Sequence, residues 1–206
     1  MLFNILALIS FFIILSMLRK LVGVFPSLMA CLIRSKESIN LEASAQLSRY
    51  RNFIAFAMVL PFCLIVWNEK LYSPAFMDGF NENLRFCAIF GIFISYVLIR
   101  KALEMVLAPK NMNSKIYMIA CKAGRTFFSI LTLILLAMAG IMSFIDTPAE
   151  VVTDAMLWVS ACIYLIYLLR KTQILISSAS FFAAFLYLCA LEMIPTGALV
   201  ASAIIF

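Results

Sequence analysis

A single carboxylate interrupts the most apolar part of the chain. The segment LYLCALEMIP, residues 186–195, lies within 174–206, where Glu192 is the only formal charge. A charge inside a membrane span is costly unless it is protonated, paired or in contact with water, so such a residue is a candidate site. Pro195 follows three positions later. It has no N–H to donate and frees the carbonyl of Leu191, and Thr196 and Gly197 extend the irregular patch, so a polar break in the helix is expected. Tyr187, Glu192, Pro195 and Thr196 make up this candidate intramembrane polar site. It allows two chemistries: a proton or cation site, or a hydrogen bond to a neighbouring span that fixes the bundle. The second is favoured, because no second membrane acid or intramembrane base accompanies Glu192.

Two other groups could carry chemistry. Asp146, Glu150 and Asp154 are spaced by four, so they share a face if a helix starts at 147. Carboxylates so placed can hold a divalent cation or act as acid and base. Acids at a helix N-terminus are also stabilised by the dipole and by water, and that plainer reading is preferred. The basic set comprises Arg19, Lys20, Arg34, Lys36, Arg100, Lys101, Lys122, Arg125, Arg170 and Lys171. It reads as a cytoplasmic surface for an acidic partner or lipid headgroups, or simply as interfacial anchoring. Arg100 and Glu104 are one helical turn apart and are expected to pair.

What is missing narrows the function. The chain has no histidine, which excludes histidine general bases and haem ligation and the zinc motifs built on His. Six glycines and no phosphate-loop motif argue against nucleotide chemistry. The six cysteines lie in apolar surroundings without a CxxC pair and read as small packing residues. No metal or cofactor is expected. The net charge of +6 does not point to nucleic acid, because the basic residues flank apolar blocks.

The elements that must position these residues follow from composition. Apolar residues make up 66% of the 206-residue chain, well above soluble domains, and they come in long blocks. The expected fold is an all-α polytopic membrane helix bundle with about six transmembrane helices plus interfacial amphipathic helices. It forms one domain over 1–206, with spans near 1–18, 53–67, 84–99, 126–145, 151–169 and 178–205. The first block lacks a basic n-region and a cleavage site and reads as a retained span. Pro61 is expected to kink the second span, with Arg49 and Arg51 snorkelling from its start. The segment 21–33 is too short to cross and contains Pro26, so it is expected to be interfacial or re-entrant. Residues 34–52 suggest a short surface helix. Residues 102–125 suggest an apolar patch, a turn at PKNMNSK and a lead-in to the fourth span.

Charge supports this arrangement. Fourteen of the sixteen basic residues fall in the alternate loops that the positive-inside bias assigns to the cytoplasm; the exceptions are Lys70 and Arg85. Both termini are then periplasmic. MLRKL, LIRKA and LLRKT each close an odd-numbered span with Arg-Lys, which orientation alone explains better than duplication.

The segment LYLCALEMIP, with the preceding IYLIYLLRKTQILISSASFF, also resembles an uncharacterised membrane-protein family of Bacteroidota whose last span reads approximately LYLCxLEIxP. Leu169, Arg170, Tyr187, Cys189, Leu191, Glu192 and Pro195 carry the likeness, which is continuous over 115–206 and loose over the first 110 residues. The basic tail usual after that signature is missing, which leaves the end of the last span open. The resemblance implies a multi-pass protein of the bacterial inner membrane and carries over no catalytic residue. The leading functional expectation is a non-enzymatic component assembling with another envelope protein or with itself. A small proton- or ion-coupled carrier or lipid-handling transporter using Glu192 is the alternative, and a membrane enzyme on lipid-linked substrates the weakest reading.

Overall fold

The computed structural model describes residues 2–77, 79–107, 113–145, 147–178 and 180–205. In chain order the helices are α1 (Leu2–Ile33), α2 (Ser35–Ala43), α3 (Ala45–Ala57), α4 (Val59–Asn68), α5 (Glu82–Val106), α6 (Ser114–Phe144), α7 (Ala149–Ile176), α8 (Phe181–Leu188) and α9 (Ile194–Ile205). A 3₁₀ turn at Ala75–Met77 precedes α5, and a π-helical segment, Cys189–Met193, joins α8 to α9. No strand occurs among the described residues. Six helical stretches are long and apolar enough to cross a bilayer: Leu2–Ile33, Ala45–Asn68, Glu82–Val106, Ser114–Phe144, Ala149–Ile176 and Phe181–Ala203. The protein is an all-α, multi-pass membrane bundle.

Apolar residues cover both sides of these helices, as expected where lipid replaces water. Phe11, Phe12, Leu15, Trp158 and Phe181 point outward. Met17, Val24, Leu28 and Cys31 pack inward against Leu41, Ile54 and Ile130. The most extensive packing is between α6 and α7, which the short connection after Phe144 makes antiparallel neighbours.

The helices run further than the hydropathy blocks. Segment 21–33 is neither a separate interfacial piece nor re-entrant; it continues α1, which has 32 residues and is about 48 Å long. Pro26 is accommodated inside this helix. It forfeits one backbone bond, and the surrounding core of Val24, Leu28 and Cys31 holds the helix together. Arg19 and Lys20 therefore sit within a helix rather than at its end.

Residues 34–52 also differ from a single surface helix. They form α2 and the first part of α3, which are separated by Ser44 in an extended conformation. The Ser44 hydroxyl caps α3 by accepting from the Leu47 N–H. Helix α2 turns Ser38 and Leu41 inward and packs on α1, α6 and α7.

The second span is α3 followed by α4, interrupted at Met58 (φ −71°, ψ −7°). Pro61 lies three residues on and withdraws the N–H that would bind the Ala57 carbonyl, so the expected irregularity is found just upstream of it. Helix α5 continues through Val106, and α6 starts at Ser114, where the Asn113 side chain accepts from the Lys115 N–H at 3.0 Å. Residues 108–112 of the expected turn lie outside the described residues. The lead-in to the fourth span belongs to α6 because Ala120 packs with Ile174, Leu175 and Ala184, and Ala123 with Phe127, Ile163 and Tyr167.

Candidate functional site: an intramembrane charge cluster

Glu192 is placed by the π-helical segment. The Ile194 N–H bonds to the Cys189 carbonyl, five residues back, so the turn widens by one residue just before Pro195. The expected polar break is thus a widened turn through which the helix continues. It carries Glu192 into the bundle, where the residue is fully buried.

Three side chains converge on the same carboxylate oxygen. The Tyr167 hydroxyl donates to Oε1 at 2.6 Å, an Arg100 Nη2 donates to it at 2.6 Å, and the Lys171 ammonium completes the set. Arg100 also donates to the Tyr167 hydroxyl at 2.5 Å, and Lys171 lies 3.4 Å from the same oxygen. Tyr164 donates to the backbone carbonyl of Glu192 at 3.1 Å. Tyr167 and Lys171 are one turn apart on α7, with Tyr164 one turn before, so a single helix face supplies all three.

Further contacts set the position of Arg100. Its Nε lies 3.7 Å from Glu104 Oε1, and the Glu104 carbonyl accepts from Tyr117 of α6 at 2.7 Å. The guanidinium crosses α6 at Gly124, where a Cβ would stand 2.6 Å from Nη2. A side chain at this position would have to displace the Arg100 head, which Glu192 and Tyr167 hold in place. Four residues beyond Glu192 on the last span, Thr196 shares a 3.0 Å hydrogen bond with Tyr96 of α5.

The cluster therefore ties α5, α7 and the last span together across α6. Two cations face Glu192, with Glu104 alongside, so the internal charges balance. Removing one partner of such a buried pair typically costs about 3–5 kcal/mol, because the other is left uncompensated. Glu192 Oε2 is buried without a hydrogen-bond partner among the described residues.

Several sequence-level assignments need correction. Arg100 and Lys171 were placed on the cytoplasmic basic surface, but Lys171 is buried and Arg100 is four-fifths covered; they are the intramembrane bases whose absence had weighed against a larger site. Two of the three Arg-Lys pairs split in this way, since successive helical residues point about 100° apart. Arg100 turns inward while Lys101 stays exposed, and Lys171 turns inward while Arg170 donates to the Leu32 carbonyl. Arg19, Arg34, Lys36 and Arg125 are exposed, and Lys20 lies over the Phe53 ring. Tyr187 is not part of the cluster; it packs edge-on against Tyr117. Tyr96, Tyr164 and Tyr167 were missed, although their spacing from the Arg-Lys pairs was a usable signal.

A second ionic group holds the α2–α3 pair on the bundle. Glu42 accepts from Lys122 of α6 at 2.8 Å and pairs with Arg51 of α3. Arg51 is buried rather than snorkelling. Burial alone would raise the Glu42 carboxyl, but the Lys122 hydrogen bond and the Arg51 charge outweigh it and hold the group below its ordinary range.

At the opposite end, Glu150 and Asp154 are exposed, and Asp146 lies outside the described residues. Among the described residues no three potential metal ligands come together. Cys31 and Cys63 are buried in apolar clusters, whereas Cys87 and Cys162 are exposed.

A match to the family described as "Domain of unknown function (DUF4271)" covers residues 3–202. The chain belongs to the DUF4271 family. The match reaches through the first 110 residues, where the C-terminal likeness was loose, so α1 to α5 are as much a part of this family as the Glu192 span. No curated protein and no solved structure matches the DUF4271 chain.

Proposed function

We propose that this protein is a non-enzymatic component of the inner membrane of a Bacteroidota envelope, where it assembles with another envelope protein. The observation that carries the reading is the pairing of Glu192 Oε1: the Lys171 ammonium and the Arg100 guanidinium stand where a transported cation would bind that oxygen. The charge then serves to hold spans together, and function falls to the outer surface. Gly197 and Ala198 are exposed on α9, and a Cβ at Gly197 would meet nothing within 4 Å, so a partner helix has room to approach there. The charge bias supports periplasmic termini.

The test is purification in mild detergent with and without Gly197→Leu. The wild-type chain should co-purify with a partner that the variant loses while keeping its own stability. A lone monomer, together with normal envelope assembly in a deletion strain, would sink the reading.

The partnerless Oε2 favours one rival, a proton- or ion-coupled carrier. In that case Glu192→Gln would abolish transport in proteoliposomes while sparing expression and fold, whereas a tying role shows as lost stability.

A further inference from the structure

The end of the bundle where α1 begins and α4 ends carries an open crevice of about 290 Å³. Phe3, Trp67, Asn68, Lys70, Glu82 and Arg85 line it. Lys70 and Arg85 are the two basic residues that depart from the charge bias of the loops, and both face this one crevice. Their place is therefore unexplained by orientation, since positive charge at this end runs against the general trend.

Backbone and side-chain geometry hold the two cations in place. Lys70 has φ 50°, the left-handed region, directly after the Glu69 cap of α4, and the Leu71 N–H closes back on the Val66 carbonyl at 3.1 Å. Glycine or asparagine is the usual residue at that position of a helix end. A lysine there accepts backbone strain and keeps an ammonium at the crevice. Arg85 is oriented by donating to the Ser73 hydroxyl. Glu82 lies one turn before Arg85 on α5, yet forms no ion pair with either cation. The wall beside them is aromatic: Phe3 and Trp67 have ring centroids 5.6 Å apart, and Trp67 in turn meets Phe86 at 5.4 Å. Phe3 and Trp67 stand next to helix ends, where aromatic side chains of membrane helices favour the headgroup level.

We propose that this crevice binds the headgroup of an aminophospholipid from the adjacent leaflet. The phosphate is held between Lys70 and Arg85, the ammonium by Glu82, and the glycerol and first acyl carbons lie against Phe3 and Trp67. Both signs of charge beside an apolar wall fit a zwitterionic lipid with a primary amine, and fit a purely anionic headgroup less well.

The 206-residue chain carrying Trp158→Phe keeps Trp67 as its one tryptophan. It would be placed in phosphatidylcholine nanodiscs with rising fractions of phosphatidylethanolamine or, separately, phosphatidylglycerol. Trp67 emission should respond saturably to phosphatidylethanolamine. Lys70→Gly, which suits the left-handed backbone, and Arg85→Gln should each weaken that response by about tenfold. Glu82→Gln should erase the preference for phosphatidylethanolamine over phosphatidylglycerol. Equal emission in all lipids, or variants that respond like the parent, would overturn the proposal. So would an equal response to free phosphoethanolamine in detergent, which would mark a site for a soluble ligand. Unchanged helicity of each variant by circular dichroism shows that a lost response is not a lost fold.

Discussion

Glu192 has a defined set of partners, and each contributes in a different way. Tyr167 donates to the carboxylate while accepting from Arg100, so Tyr167→Phe removes one donor and one acceptor but no charge. The expected loss is about 1–3 kcal/mol of stability, read as a lower unfolding temperature in detergent. Gly124 acts through space alone. Gly124→Val would displace the Arg100 guanidinium from α6 and should destabilise by about 1–3 kcal/mol, whereas the same change at Gly140, where a Cβ meets nothing within 4 Å, should be near neutral. Equal effects at the two glycines would contradict the placement of Arg100.

Among the elements, α2 and α3 are docked by charge as well as by apolar contact. The Glu42 carboxyl is held below its ordinary value of 4.5, so its ion pairs stabilise the docked arrangement above that value. The contribution fades as pH falls below 4.5 and through the lower folded value. Amide protection factors over Ser35–Ala43, corrected for intrinsic exchange, should therefore drop on acidification across that window, and Glu42→Gln should show low protection already at neutral pH. Unchanged protection down to pH 3 would contradict the docking role. This element was only partly legible in the sequence. The sequence of 34–52 suggests a helix, but Lys122, which pairs with Glu42, lies 80 residues further along the chain, and no local pattern encodes that pairing. Helix lengths were underread for a related reason: hydropathy marks the part of a helix that lipid touches, while α6 and α7 extend beyond it because small residues such as Ala120 and Ala184 pack between them and α8. Pro26 argues against a crossing by 21–33 on local grounds alone, whereas the core of Val24, Leu28 and Cys31 around it lets α1 run on.

The described residues form a helical bundle in which six stretches are long and apolar enough to cross a membrane, a class that composition alone makes plain. The intramembrane acid was also legible, since one charge in a long apolar stretch stands out. Its partners were hidden because Arg100 and Lys171 sit in Arg-Lys pairs that topology already explained. With Phe181–Ala203 crossing as one stretch, reporter fusions after Gln173 and after Phe206 should report opposite sides of the membrane. The same side for both would mean two half-spans around the π-helical turn.

Glu192 and Lys171 form a buried pair that holds α7 to the last span, and a double-mutant cycle measures their coupling. Glu192→Gln, Lys171→Met and the double variant would be unfolded reversibly in detergent or nanodiscs. Each single change should cost about 3–5 kcal/mol, and the double should cost less than their sum by more than about 1 kcal/mol, because neither partner is then left alone. Single losses that add within about 0.5 kcal/mol would contradict the pairing.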